Sequence, residues 1–311
     1  MAISIKWSSR PRRLEGAAAY ERPEVAAAEN SLSEFLEFYA GRPASSLSFM
    51  LRNTSRLIRA YLALVRLPTL VAAPSGTVEG DAVRKALHPD SGWRCWWMPV
   101  MAVLPVPDAP AKVGLGARNQ TLRRKVRSAE RLGMWWKTVD DEHERAELIA
   151  LTSESERTHA NERYRMANPD NSELLLFPLW IAAYSADKRP VLLAVAAVDG
   201  EWAWLRYFRT IGSGAEQSDA RYLGLYALAG QLAGRGVRYL FDEHGLTWLA
   251  PGLRHYQRMV GFRIFRIKVR KAGQARPAAA GVPAGAGQIA AGSRAPAGPR
   301  PQRQKQRGQL N

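Results

Sequence analysis

The chain has 311 residues, of which 46% are hydrophobic, and a formal net charge of +17. That length accommodates one large domain or two small ones, and that apolar fraction builds a core, which excludes a wholly disordered polyelectrolyte. The single cysteine, Cys95, has no internal partner for a disulfide or a thiolate metal cage, so a reducing, cytoplasmic setting is expected.

At the N-terminus, Lys6, Arg10, Arg12 and Arg13 lead into the acidic, alanine-rich stretch Glu15 to Glu29 instead of an apolar signal core, so no secretion signal is expected. The run Tyr61 to Ala73 is broken by Arg66 and Pro68. It falls short of the ~20 apolar residues that span a bilayer, and no membrane insertion is expected.

Between Arg118 and Arg131 the body carries its densest positive charge, with Arg118, Arg123, Arg124, Lys125, Arg127 and Arg131 set around the apolar stripe Leu122, Val126 and Ala129. That spacing predicts a helix ended by Gly133. Met134 to Val139 then predicts a strand, and Asp140 to Ala160 a helix capped by Asp140 or Asp141. Three strands follow as a meander, Leu179 to Ser185, Val191 to Val198 and Trp202 to Phe208, with turns at Asp187 to Arg189 and at Asp199-Gly200. A helix over Asp219 to Ala233, a strand over Val237 to Phe241, a helix over Leu249 to Val260 and a strand over Phe262 to Val269 complete the body.

The last segment is different in kind. From Gly273 to Asn311 there are six basic residues and no acid, which leaves +11 for the rest of the chain. Ala, Gly, Pro, Gln and Arg dominate it, so burial cannot offset the entropy of ordering, and residues 273–311 are expected to be a disordered cationic tail. Such a tail tethers RNA or an acidic partner loosely, or serves only to solubilise.

The element order from Met134 is β, α, β, β, β, α, β, α, β. It is similar to the core of the GNAT superfamily, and two stretches resemble the FemAB-type branch of peptidyl and aminoacyl transferases. One is Arg118 to Gly133, which resembles the basic helix ahead of the first strand. The other runs from Ala220-Arg221-Tyr222-Leu223 through Gly236, Tyr239 and Asp242 to Leu253-Arg254-His255-Tyr256-Gln257-Arg258-Met259-Val260-Gly261-Phe262. The resemblance implies a GNAT-like α/β domain over residues 111–272, with a mixed, largely antiparallel sheet flanked by helices; residues 1–110 would be a degenerate first GNAT-like subdomain, with Arg52 to Val65 as a helix and Trp93 to Val106 as one or two strands, or a private extension.

On this resemblance, Arg209-Thr210-Ile211-Gly212-Ser213-Gly214 matches the signature by which GNAT proteins hold the pyrophosphate of acyl-CoA, with Arg209, Gly212 and Gly214 as the binding positions. Glycines let the backbone approach, and N–H groups at a helix N-terminus attract anions. A plain Gly-rich hairpin exit accounts for the same residues, and Ala215 to Ser218 separate the glycines from the helix expected at Asp219. Asp242, Glu243 and His244 stand at the carboxyl end of a strand, where α/β sheets open to ligands. Asp242 or Glu243 would take the amine proton, with His244 on the acceptor side; a loop cap at Asp242 beside two solvated neighbours fits equally.

Tyr256 resembles the tyrosine that protonates the departing CoA sulfur, although the family spacing selects Gln257. Arg123, Arg124 and Arg127 would recognise phosphate or carboxylate on a substrate, or simply keep the helix soluble. His88, His143, His159, His244 and His255 are scattered without a cysteine partner, so no metal is expected. The implied activity is transfer of an acyl or aminoacyl group from acyl-CoA, acetyl-CoA foremost, or from aminoacyl-tRNA to a small-molecule or peptide amine. A non-catalytic GNAT-like module that holds tRNA, other RNA or another polyanion through basic helix and tail fits the same charges.

Overall fold

The computed structural model describes residues 22–39, 51–87, 100–162, 165–212, 214–242 and 251–270. In chain order the elements are α1 (Pro23–Tyr39), α2 (Thr54–Arg66), β1 (Thr69–Ala72), α3 (Val78–Leu87), β2 (Val100–Pro105), α4 (Gln120–Arg131), β3 (Trp135–Thr138), α5 (Glu142–Arg157), β4 (Leu179–Tyr184), β5 (Pro190–Asp199), β6 (Trp202–Thr210), α6 (Ala215–Gly234), β7 (Tyr239–Asp242), α7 (Pro251–Met259) and β8 (Arg263–Val269). The cationic tail expected from Gly273 lies outside the described residues.

Eight strands form one sheet in the order β1-β8-β2-β7-β6-β5-β4-β3. The β1–β8 and β6–β7 pairs are parallel and the others antiparallel. The molecule is thus the expected α/β type, a largely antiparallel sheet flanked by helices. β2 lies between β7 and β8, so the sheet runs without interruption across residue 110.

Strand alternation sends Leu179, Ile181, Ala183, Leu192, Ala194 and Ala196 to one face of the sheet, where they pack with α1, α2, α4 and α6. Trp180, Ala182, Tyr184, Leu193, Val195 and Ala197 point to the other, against Val83 and Leu87 of α3 and Leu148 of α5. Burial on both sides explains why β4 and β5 read as continuous apolar runs. Gly224 lets α6 lie close on β5, since a Cβ there would stand 2.4 Å from Leu192 Cδ2.

The order from β3 to β8 is the one expected, with ends shifted by a few residues. The Asp141 side chain caps α5 by accepting from the Glu144 amide at 2.8 Å. Elements not foreseen are α1, β1 and α3. α6 begins at Ala215, four residues ahead of the expected Asp219.

Candidate functional site

The feature that sets one end of the sheet apart is the brevity of the β6–β7 pairing. The two strands run together only from Trp202 opposite Tyr239 to Leu205 opposite Asp242. Arg206 is then the extra residue of a bulge against β5, where the register passes from Val195 opposite Tyr207 to Ala196 opposite Leu205. Bulges bend a strand and re-aim its side chains. Beyond it, β6 continues to Thr210 paired with β5 alone among the described residues.

β6 leads straight into the glycine loop and α6. Gly212 has φ +82° and Gly214 φ +137°, conformations that side chains rarely adopt, and Gly214 is the N-cap of a 20-residue helix. The expected separation of the glycines from the helix is therefore corrected: Ala215 to Ser218 are the first turn of α6. Gly214 offers no side chain to cap it, and amides of a first helical turn have no partners within the helix. The Gly212 amide is occupied, donating to Ser155 Oγ at 3.1 Å.

Arg209, three residues before Gly212, reaches to α5. Its Nη1 pairs with Glu156 at 3.0 Å, and its guanidinium lies over the Tyr207 ring at 5.8 Å. Glu156 is only 4% exposed. It accepts from Tyr207 Oη at 2.9 Å through Oε1 and from Asn171 Nδ2 at 3.1 Å through Oε2. Burial, reinforced by the Glu156 charge, pushes the Tyr207 hydroxyl well above its ordinary range, so it remains a donor. Sequence reasoning missed this cluster. The signal was present: Leu148, Thr152 and Glu156 fall on one buried stripe of α5, and a carboxylate on such a stripe calls for partners.

At the end of β7, Asp242 Oδ2 accepts from Gln257 Nε2 at 2.7 Å. The Tyr256 hydroxyl donates to the Arg221 carbonyl at 3.0 Å, and its ring packs against Tyr222 and Phe208 with centroids 5.2 and 6.4 Å away. Burial raises the Tyr256 hydroxyl far above its usual range, the Arg221 charge opposes this, and Tyr222 and Asp242 add to the rise. Asp242, Gln257 and Tyr256 are thus brought together. Glu243 and His244 lie outside the described residues.

The basic helix α4 divides its charges between two tasks. Arg123 Nη1 donates to the carbonyls of Gly114 and Gly116, each at 2.6 Å, and so fixes the loop before the helix. Lys125 pairs with Asp219 of α6 at 2.6 Å. Burial works to raise the Asp219 carboxyl, but the bonds from Lys125 and Ser128 outweigh it and hold the carboxyl below its ordinary value. Arg124 and Arg127 are exposed. With Gln120, Arg123, Glu130 and Arg131 they line a cleft of about 790 Å³.

No helix among the described residues is long and apolar enough to cross a membrane. No protein-family model matches the chain, and no curated protein matches it significantly. Similar solved structures include a C-terminal domain assigned to a lysylphosphatidylglycerol synthetase from Agrobacterium fabrum, at 15% identity and a TM-score of 0.41 over 54% of this chain and 58% of that one. L-PGS from Bacillus licheniformis follows at 12% identity and 0.39, again over 54% and 58%. A GCN5-related N-acetyltransferase from Sphaerobacter thermophilus gives 14% identity and 0.29 over 62% and 55%. The chain therefore spans 58% of the length of the first two structures.

Proposed function

We propose that the protein is a GNAT-type, FemAB-like transferase that moves an acyl or aminoacyl group from an activated donor to an amine, at the end of the sheet where β6 and β7 part. The observation that carries the reading is the parallel β6–β7 pair that stops at Leu205 and Asp242 while β6 runs on through Gly212 and Gly214 into the first turn of α6. Parallel strand ends beside a glycine-led helix N-terminus offer a crevice and an anion site in one place. Acyl-CoA, with acetyl-CoA foremost, is the donor that this site suits; aminoacyl-tRNA presents phosphates of the same charge.

In the reaction the amine nitrogen attacks the donor carbonyl, the C–S or C–O bond breaks, and the nitrogen loses a proton. Asp242, oriented by Gln257, takes that proton. Tyr256 keeps its own proton at neutral pH and returns one to the leaving sulfur or oxygen once its hydroxyl leaves the Arg221 carbonyl. Gly214 and the first turn of α6 hold donor phosphate. Arg209, half-exposed and paired with Glu156, is the cation nearest to that loop in sequence.

The test is a melting curve of the full chain with and without acetyl-CoA, followed by mass spectrometry for acyl transfer to amine acceptors. Stabilisation that grows with ligand concentration supports the reading. No shift with acetyl-CoA or with charged tRNA overturns it. The cleft carrying exposed Arg124 and Arg127 favours a second reading, a module that holds RNA or another polyanion without catalysis. That reading requires steeply salt-dependent RNA binding and indifference to acetyl-CoA.

A further inference from the structure

Arg254 on α7 is 8% exposed, and neither its Nε nor its Nη2 has a hydrogen-bond partner among the described residues. Burying a guanidinium without partners costs stability, so a fold that keeps one there gives up stability for something else. The two unmade bonds are on one side. Nε–H and Nη2–H point from the same edge of the planar group, the edge that meets an oxyanion with two parallel N–H···O bonds.

The position is as telling as the geometry. β2 is antiparallel to both β7 and β8, so β7 and β8 run the same way and α7 crosses back between them. Earlier residues of α7 therefore lie nearer the end of the sheet where β6 and β7 part. Arg254 precedes Gln257 by three residues, one turn along the same buried face, and Gln257 is the residue that holds Asp242. A buried cation thus stands about one helical turn from the glutamine that holds a strand-end carboxylate.

We infer that Arg254 grips a carboxylate carried by the amine acceptor, so that the acceptor is an amino acid or a short peptide and not a simple amine. A carboxylate on Arg254 and an ammonium group toward Asp242 complement the two charges in the order in which they stand. A dianionic phosphate in the same place would face the Asp242 carboxylate at greater electrostatic cost. The assignment of this ligand as the acceptor rests on the transferase reading. The binding site itself does not.

The experiment is calorimetric titration of the full chain, without donor, using alanyl-alanine, its C-terminal amide and inorganic phosphate, on wild type and on Arg254→Met and Arg254→Lys. Wild type is expected to bind the dipeptide roughly 10-fold to 100-fold more tightly than the amide, the scale of a lost charge-assisted pair. Arg254→Met should bind acid and amide alike, and Arg254→Lys should keep part of the preference because the charge remains without the fork. Arg254→Met should also melt at or above the wild-type temperature, since it removes an unpaired buried charge while keeping the apolar stem.

Equal binding of acid and amide by wild type, binding of none of the probes, or preference for phosphate would each overturn the proposal. So would a clear loss of stability in Arg254→Met, which would make the arginine a structural one. If the acid preference depends on Arg254 but acetyl-CoA and charged tRNA have no effect, the transferase reading falls and the carboxylate site stands.

Discussion

Replacing Gly214 by alanine asks whether the loop before α6 is a phosphate cradle or only a turn. Gly214 has φ +137° and ψ −169°. That region is nearly closed to side chains and costs about 1–3 kcal/mol when one is forced into it. The new Cβ would lie 3.2 Å from Gln217 Oε1, the tip of a flexible side chain on the first turn, so steric conflict adds little. At about 2–4 °C per kcal/mol for a domain of this size, the melting temperature should fall by about 2–12 °C with cooperative unfolding intact. If phosphate sits on the first-turn amides, the methyl group stands in its path and tilts those donors. Losing one charge-assisted hydrogen bond, about 1.5–3 kcal/mol, weakens acetyl-CoA binding roughly 10-fold to 150-fold. Titration calorimetry beside a thermal melt reads both quantities. A variant that melts within this window yet binds acetyl-CoA like wild type refutes the cradle.

Three further outcomes follow from particular contacts. Glu156→Ala should lower stability by about 1–3 kcal/mol, because the buried Tyr207 hydroxyl loses its acceptor while half-exposed Arg209 turns to water; Glu156→Gln, which keeps an acceptor for Tyr207, should cost less, and equal urea midpoints for both would deny the cluster its role. Burial raises the Glu29 carboxyl, against Arg263, the Ile264 amide, Arg258 and Arg118, so its folded pKa lies above the unfolded one. The folded state then disfavours the ionised form, stability from this group is present in acid and lost as pH rises, and Glu29→Gln should melt higher than wild type at pH 7 with the gain vanishing toward pH 4. Asp242→Asn should reduce turnover on the order of 10²-fold to 10⁴-fold with donor affinity unchanged, and Tyr256→Phe by less where the leaving group is a thiol; normal turnover in both would move the proton chemistry elsewhere.

The strands β3 to β6 were legible because their signals are local. Asp199-Gly200 closes a hairpin with Gly200 at φ +57°, and runs such as Leu179 to Tyr184 are apolar on both faces because helices cover both. β1 was not legible. It has four residues, directly follows Pro68, and exists through parallel pairing with β8, nearly two hundred positions away in the chain. No local pattern encodes such a partner. The start of α6 was misplaced for a different reason: Ala215-Glu216-Gln217-Ser218 lack the apolar spacing that marked the helix from Asp219, and its cap is a glycine, which has no side chain to announce it.

Charges on a helix carry still less information, because their fate depends on what the fold lays beside them. Arg123 and Arg124 are neighbours in sequence, yet about 100° of helical rotation separates a loop-fixing arginine from an exposed one. The two buried charges near the end of β6 and β7 differ in the same way. Glu156 has bonds from Tyr207, Asn171 and Arg209, so the chain completes it and its role is to tie α5 to β6. Arg254 lacks partners at two of its nitrogens among the described residues, which leave it incomplete. A carboxylate that the fold satisfies belongs to the scaffold, whereas a guanidinium edge that it leaves bare is completed by a ligand, and that asymmetry is why Arg254 and not Glu156 is assigned to the substrate.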